Sequence, residues 1–209
     1  MEAPLVRACR IAGVRDERVL QAVAAVPRAS FVPRELVDWA DEDSPLPIPH
    51  DQVTTQPSLV ALMIEALELS GTEKVLEIGT GYGWQTALLA HLAEEVWSIE
   101  RFADIAETAR ENLRRNGTER TQVVVGDGTQ GLAESAPFDA ILVAAAHTRV
   151  PEPLVSQLAD DGRLVMPIGP GGREIVVKFV KTRGQVIRAR DVIPAHFVRL
   201  VGQHGFPTD

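Results

Sequence analysis

The sequence predicts an α/β fold: a doubly wound, mostly parallel sheet with antiparallel strands at its C-terminal edge and a helical cap at its N-terminus. Three observations predict it. Helical and strand patterns alternate from residue 57 to residue 168, the mark of a parallel sheet with helices on both faces. A short apolar run, Val75, Leu76 and Ile78, meets three alternating glycines, Gly79, Gly81 and Gly83, as where a strand turns into a ligand-binding helix. The chain after residue 172 carries strand patterns joined by short turns and no helical periodicity, which places antiparallel strands at the end of the sheet.

In order, residues 14–26 read as a helix with Asp16 as N-cap and an apolar stripe of Val19, Leu20, Val23 and Ala24, stopped by Pro27. Residues 31–33 turn into a short helix over 35–40. Residues 41–49 hold acids and prolines and read as a loop covering a site. Residues 50–57, His-Asp-Gln-Val-Thr-Thr-Gln-Pro, are polar between ordered segments, which favours function over tether. Thr55 suits a cap for the helix over 58–69, which Gly71 ends; capping does not exclude a catalytic role.

The first core strand runs over 75–78 and a helix starts at Trp84, with Ala87, Leu88, Leu92 and Ala93 at helical spacing. A second strand covers 95–99, ended by Glu100, and a helix 105–115. A third strand at 123–125 meets Gly126-Asp127-Gly128. A fourth at 138–146 is long and apolar enough for a strand buried on both faces. A helix follows over 151–159, then strands at 164–168, 175–181, 186–192 and 197–201, with Arg183-Gly184 as a hairpin turn. The whole, residues 1–209, reads as one domain: a cap and covering loop at 1–56 and a cofactor-binding core at 57–209.

The glycine spacing selects the ligand. A dinucleotide fold uses G-x-G-x-x-G and a phosphate loop ends in Gly-Lys followed by Ser or Thr. This Rossmann-like turn reads G-x-G-x-G with no such lysine, and Glu77 precedes it inside the strand. A carboxylate there suits a positively charged ligand, and S-adenosylmethionine carries a sulfonium and an ammonium but no phosphate. Glu100 follows Gly79 by 21 residues, the spacing of an acid that accepts from ribose hydroxyls; an acid at a strand tip is also an ordinary solvated residue. Gly126-Asp127-Gly128 suits an adenine, and alone is an ordinary turn.

Composition narrows the classes. With 209 residues, 45% hydrophobic and 24% charged, the chain is the size of one globular domain. The net charge of −8 argues against a nucleic-acid backbone as partner. Cys9 is the single cysteine, so neither an internal disulfide nor a cysteine zinc site is possible, and the five histidines show no metal-ligand spacing. The N-terminus lacks a signal-type apolar core and no run spans a bilayer. A soluble, cytoplasmic, metal-free monomer is the expectation.

Taken together, the stretches at 26–33, 52–57, 75–87, 98–100, 126–128, 137–143, 157–169 and 196–200 resemble the protein-L-isoaspartate O-methyltransferases, S-adenosylmethionine-dependent enzymes of class I. The glycine turn alone would indicate only that class; Gln-Val-Thr-Thr-Gln-Pro at 52–57 and Phe-Val-Pro at 31–33 are more specific. The resemblance implies methyl transfer to the α-carboxyl of L-isoaspartyl residues in damaged proteins and peptides, with S-adenosylhomocysteine as product. It places Thr55 as the active-site hydroxyl, where the family has a serine. It gives Glu77, Gly79, Thr80 and Gly81 the methionine part of the cofactor, Glu100 the ribose, and Asp127 with Gly128 the adenine, with Thr54 and Gln56 beside them. Tyr82 and Trp84 differ from the serine and tyrosine usual there. Competing readings are an aspartyl carboxyl methyltransferase tailoring a dedicated peptide, a small-molecule or RNA methyltransferase, and a non-catalytic S-adenosylmethionine-binding protein. The chain stops soon after its last strand, which favours repair over a dedicated substrate.

Overall fold

A computed structural model describes residues 2–118, 120–170 and 172–207. The N-terminal cap holds helices α1 (Pro4–Ala12) and α2 (Glu17–Ala25), 3-10 turns at Arg28–Phe31 and Arg34–Trp39, and a small hairpin of β1 (Leu46–Ile48) and β2 (Gln52–Thr54). Helix α3 (Pro57–Leu67) leads into the core. The core alternates β3 (Lys74–Ile78), α4 (Trp84–Ala90), β4 (Glu95–Glu100), α5 (Ala103–Arg115), β5 (Thr121–Val125), β6 (Phe138–Val143), α6 (Glu152–Gln157) and β7 (Leu158–Ile168). It closes with β8 (Glu174–Thr182) and β9 (Gln185–Ala195).

The seven-stranded sheet has the order β5-β4-β3-β6-β7-β8-β9. Pairs within β5 to β7 are parallel, and β7/β8 and β8/β9 are antiparallel. The chain winds outward from β3 through β4 to β5, then returns to lay β6 on the other side of β3. The switch point therefore lies between β3 and β6, where an open sheet leaves a crevice at its carboxyl ends.

Strand periodicity divides the core. Val75, Ala140, Leu142 and Val165 pack with the cap helices and α4 on one face. Leu76, Ile78, Ile141, Val143, Leu164 and Met166 pack on the other with Leu154 and Leu158. Successive residues point to opposite faces and both faces are covered, so β3 and β6 read as continuous apolar runs.

Several elements depart from the expectations. Helix α1 was not expected; its buried face is only Leu5, Val6 and Cys9, and the apolar Ile11 lies exposed beside Arg7 and Arg10, which blurs the stripe. The loop expected over 41–49 contains β1, and β2 lies in the polar stretch that follows. Helix α3 is capped by Asp43, not Thr55: Asp43 accepts from the Ser58 backbone N–H and hydroxyl, both at 2.8 Å. The helix expected to end at Gly71 stops earlier, with Glu68 in the left-handed region at φ 52°. Residues 197–201 do not form a strand of the main sheet. They cross beside Ala146, just past the end of β6, where Ala146 N–H donates to Val198 and Leu200 N–H donates to Ala146 at 2.8 and 2.7 Å.

Candidate functional site

A cleft opens at the carboxyl ends of β3, β4 and β6, with about 950 Å³ of empty space counted together with the solvent at its mouth. Its floor is the glycine turn, Ile78 to Gly83. Gly79 holds φ 95° beside β6, where a Cβ would touch that of Ala144. Ile48 and Gln52 to Thr55 of the hairpin form one wall, Glu100, Arg101 and Ile105 a second, and Ala144, Ala145 and residues 198–201 a third.

Glu100 lies at the tip of β4 and lines the cleft. Its carboxylate accepts from Gly81 N–H at 3.0 Å and Phe102 N–H at 3.1 Å, which fixes its orientation and leaves lone pairs for a ligand hydroxyl. Burial raises its pKa, opposed by those backbone donors.

Glu77 is fully buried and does not line the cleft. Its carboxylate sits beneath the turn, accepting from Gln85 Nε2 at 2.8 Å and from the Thr86 and Ser98 hydroxyls. Burial pushes it up to about 7 against the pull of those donors. Gln85 links this charge to the cleft. It lines the cleft and is 7% exposed, and its Oε1 is buried without a partner. The opposite amide orientation would set Oε1 against the carboxylate, so the free acceptor points away from Glu77.

Thr55 and Thr54 behave differently although adjacent. Thr54 Oγ1 accepts from the buried Arg28 at 3.0 Å and from Leu46 N–H at 3.3 Å. Thr55 lines the cleft, and no hydrogen bond occupies its hydroxyl among the described residues. Gln56 lies outside the cleft wall and donates to Asp43 and Ser58 at 2.9 and 3.1 Å.

Gly128 lines the cleft, and a Cβ there would run into the Ile78 side chain. Asp127 does not line it. Its carboxylate accepts from Thr129 N–H and hydroxyl, Gln130 and Gln203 N–H, at 2.9, 2.7, 3.2 and 2.8 Å. Burial would raise its pKa, yet these donors hold it below the usual carboxylate value. Thr80 is buried, with its hydroxyl against Ser98.

Two ties secure the hairpin over the cleft. Arg28, 2% exposed, donates to the carbonyls of Ala40, Glu42 and Ser44 at 3.2, 2.9 and 2.8 Å and stands 5.8 Å from the Trp84 ring centroid. At the hairpin tip, the His50 ring stacks on Phe102 at 4.2 Å and pairs with Asp104 at 2.8 Å.

Comparison with known proteins settles the family. A family model described as protein-L-isoaspartate (D-aspartate) O-methyltransferase matches residues 2–205. The chain belongs to that family. A relative from Methanoculleus marisnigri named protein-L-isoaspartate O-methyltransferase is 51% identical, covering 94% of this chain and 89% of its own. One of the same name from Myxococcus xanthus is 48% identical over 91% of this chain and 92% of its own. A solved protein-L-isoaspartate O-methyltransferase superposes with a TM-score of 0.86 at 29% identity, over 98% of this chain and 67% of that one. A candidate member from Plasmodium falciparum, solved with S-adenosyl-L-homocysteine, shares the fold at a TM-score of 0.81 and 23% identity, over 96% of this chain and 98% of its own.

The residues present suit the cofactor this family implies. Gln85 offers a buried free acceptor, the electrostatic match for an ammonium, and Glu100 offers another at a ribose position. No lysine follows the glycines to meet a phosphate. Of the residues expected at the site, the structure brings Thr54, Thr55, Gly79, Thr80, Gly81, Glu100 and Gly128 onto one cleft. Glu77, Asp127 and Gln56 stand behind its wall. Sequence reasoning assigned no role to Gln85, Arg101 or Arg199. The last lies in a stretch singled out at 196–200 and read as a strand, and a strand pattern by itself does not say which of its faces meets the cleft.

Proposed function

We propose that this chain transfers methyl from S-adenosylmethionine to the α-carboxyl of L-isoaspartyl residues in damaged proteins and peptides, and that the ester then closes to a succinimide. The observation that carries the reading is that Thr55, whose hydroxyl has no hydrogen bond among the described residues, lines one cleft together with the glycine turn. When bound, the cofactor supplies an electrophilic methyl on a sulfonium sulfur.

What the chain itself supplies is alignment. A carboxyl with pKa near 4 is already ionised at neutral pH and needs no general base, and no histidine lines the cleft. Holding a nucleophile in line is worth several kcal/mol, up to about 10. Thr55 donates to one carboxylate oxygen of the substrate and leaves the other free to react. Gly79, Thr80 and Gly81 hold the methionine end and Glu100 the ribose. Gly128 leaves space for the adenine, while Asp127 keeps that loop in shape. Glu77 acts from below: its charge orients Gln85 and favours a cation above. Thr54 fixes the backbone before Thr55, and Gln56 ties the same segment to Asp43.

On this reading residues 1–209 work as one unit, 1–56 as cap and 57–209 as cofactor core. The unit is a cytoplasmic monomer acting on protein and not on nucleic acid, in keeping with its net charge of −8. No described helix is long and apolar enough to cross a membrane.

Methyl transfer to two matched peptides, with isoaspartate or aspartate at one site, tests this. Base-labile methyl on the isoaspartyl peptide alone is expected. Methyl on neither, with cofactor bound, would overturn the reading.

A further inference from the structure

Three charged residues line the cleft: Glu100, Arg101 and Arg199. Glu100 and its neighbour Arg101 stand at β4, on one side of the switch point, where the ribose is assigned. Arg199 stands on the other side, tied through its backbone bridge to Ala146 past β6. Its guanidinium lies 5.2 Å from the Phe206 ring centroid and makes no ion pair or hydrogen bond among the described residues. An aromatic face under a guanidinium holds its plane and leaves its N–H edges outward, a fork matched to a carboxylate. The rest of the protein carries excess negative charge, −8 in total. An unpaired cation at the mouth of a cleft in such a molecule favours anions locally.

We propose that Arg199 is a specificity residue that binds the carboxylate side chain of an acidic residue flanking the target isoaspartate. This inference rests on the peptide-methylating reading above. Arg199 pairs with substrate outside the reacting atoms, so it changes which peptides bind and leaves the chemical step alone.

The test uses matched isoaspartyl peptides carrying Glu, Gln or Lys on either side of the target. The wild-type protein is expected to show a KM about three- to tenfold lower for the Glu peptide than for the Lys peptide on one side, with kcat unchanged. The contrast shrinks as salt is raised. Arg199→Gln is expected to abolish it and Arg199→Glu to invert it, both binding S-adenosylhomocysteine within twofold of wild type. Equal KM across the wild-type series overturns the proposal. So does a large loss of S-adenosylhomocysteine affinity in Arg199→Gln, which would assign the guanidinium to the cofactor's carboxylate. Fluorescence anisotropy of the same peptides on protein loaded with S-adenosylhomocysteine reads the contrast without turnover. Absence of methylation then counts against the catalytic reading alone, and the binding contrast decides the role of Arg199.

Discussion

The strap between α2 and α3 and the glycine turn after β3 meet at the same cleft and are held by opposite means. The turn grows out of a strand paired on both sides, β4 and β6, so its backbone is set by the sheet ladder. The strap has only a three-residue hairpin pairing of its own. It is fixed by side chains reaching into its backbone: Arg28 onto three carbonyls and Thr54, and Asp43 onto the start of α3. A site can thus be part scaffold and part tethered loop, with the chemistry at their junction. The tethered half depends on a few polar contacts, each expensive to lose once buried.

That contrast can be broken at graded cost. The largest effect is expected for Arg28→Met. It strips the donors from the carbonyls of Ala40, Glu42 and Ser44 in a site where Arg28 is 2% exposed. A loss of roughly 4 kcal/mol is expected in urea denaturation, with activity lost before the β-sheet signal.

Glu77→Gln probes the scaffold half. The Glu77 pKa is raised from 4.5 to about 7 in the folded protein, so the native state holds a proton the unfolded chain releases. Stability from this group is full below about pH 4.5 and falls as pH rises through 7. The variant should flatten that decline, a difference on the order of 3 kcal/mol at pH 8. A cofactor that brings positive charge favours the ionised carboxylate, so it should bind the variant more weakly. Denaturation curves from pH 4 to pH 8 and cofactor titration check both.

Asp43→Ala removes the cap of α3 supplied from the strap. A loss of about 1 kcal/mol is expected by thermal denaturation, with a rise in peptide KM because Gln56 is released. The smallest stability change belongs to Thr55→Ala, under about 0.5 kcal/mol, since its hydroxyl supports nothing in the protein. Its kcat should fall at least tenfold, and Thr55→Ser should restore most of it. A large stability loss in Thr55→Ala would mean that the hydroxyl belongs to the strap after all.

The core was legible because its signals are local. The apolar runs of β3 and β6, the glycines at 79, 81 and 83, and Glu100 at a strand tip are all readable within a few residues. The strap was less so. Its polar, proline-containing sequence reads as loop, yet it contains β1 and β2, because pairing of three residues leaves no periodicity to detect. Asp43 as the cap of α3 was out of reach for a similar reason: it stands 15 residues before Ser58, whereas local capping rules look within a turn. Residues 197–201 carried a strand pattern, but after β9 the chain crosses back to the carboxyl end of β6 rather than along a sheet edge, so no strand ladder forms. They make isolated bridges instead, Arg199 with Ala146 and Val201 with Phe206.

The sequence by itself determined the doubly wound core, the class of ligand and the family. Each follows from short-range patterns: apolar strand runs between helical periods, glycines that let backbone approach a ligand, and carboxylates spaced to strand tips. Only the tertiary structure decided which of those residues touch the cleft. It set Glu77 and Asp127 behind the wall and brought Gln85 and Arg199 onto it. Whether a side chain faces ligand or core depends on strand register and on elements distant in sequence, such as the crossing at Ala146, which no local pattern records.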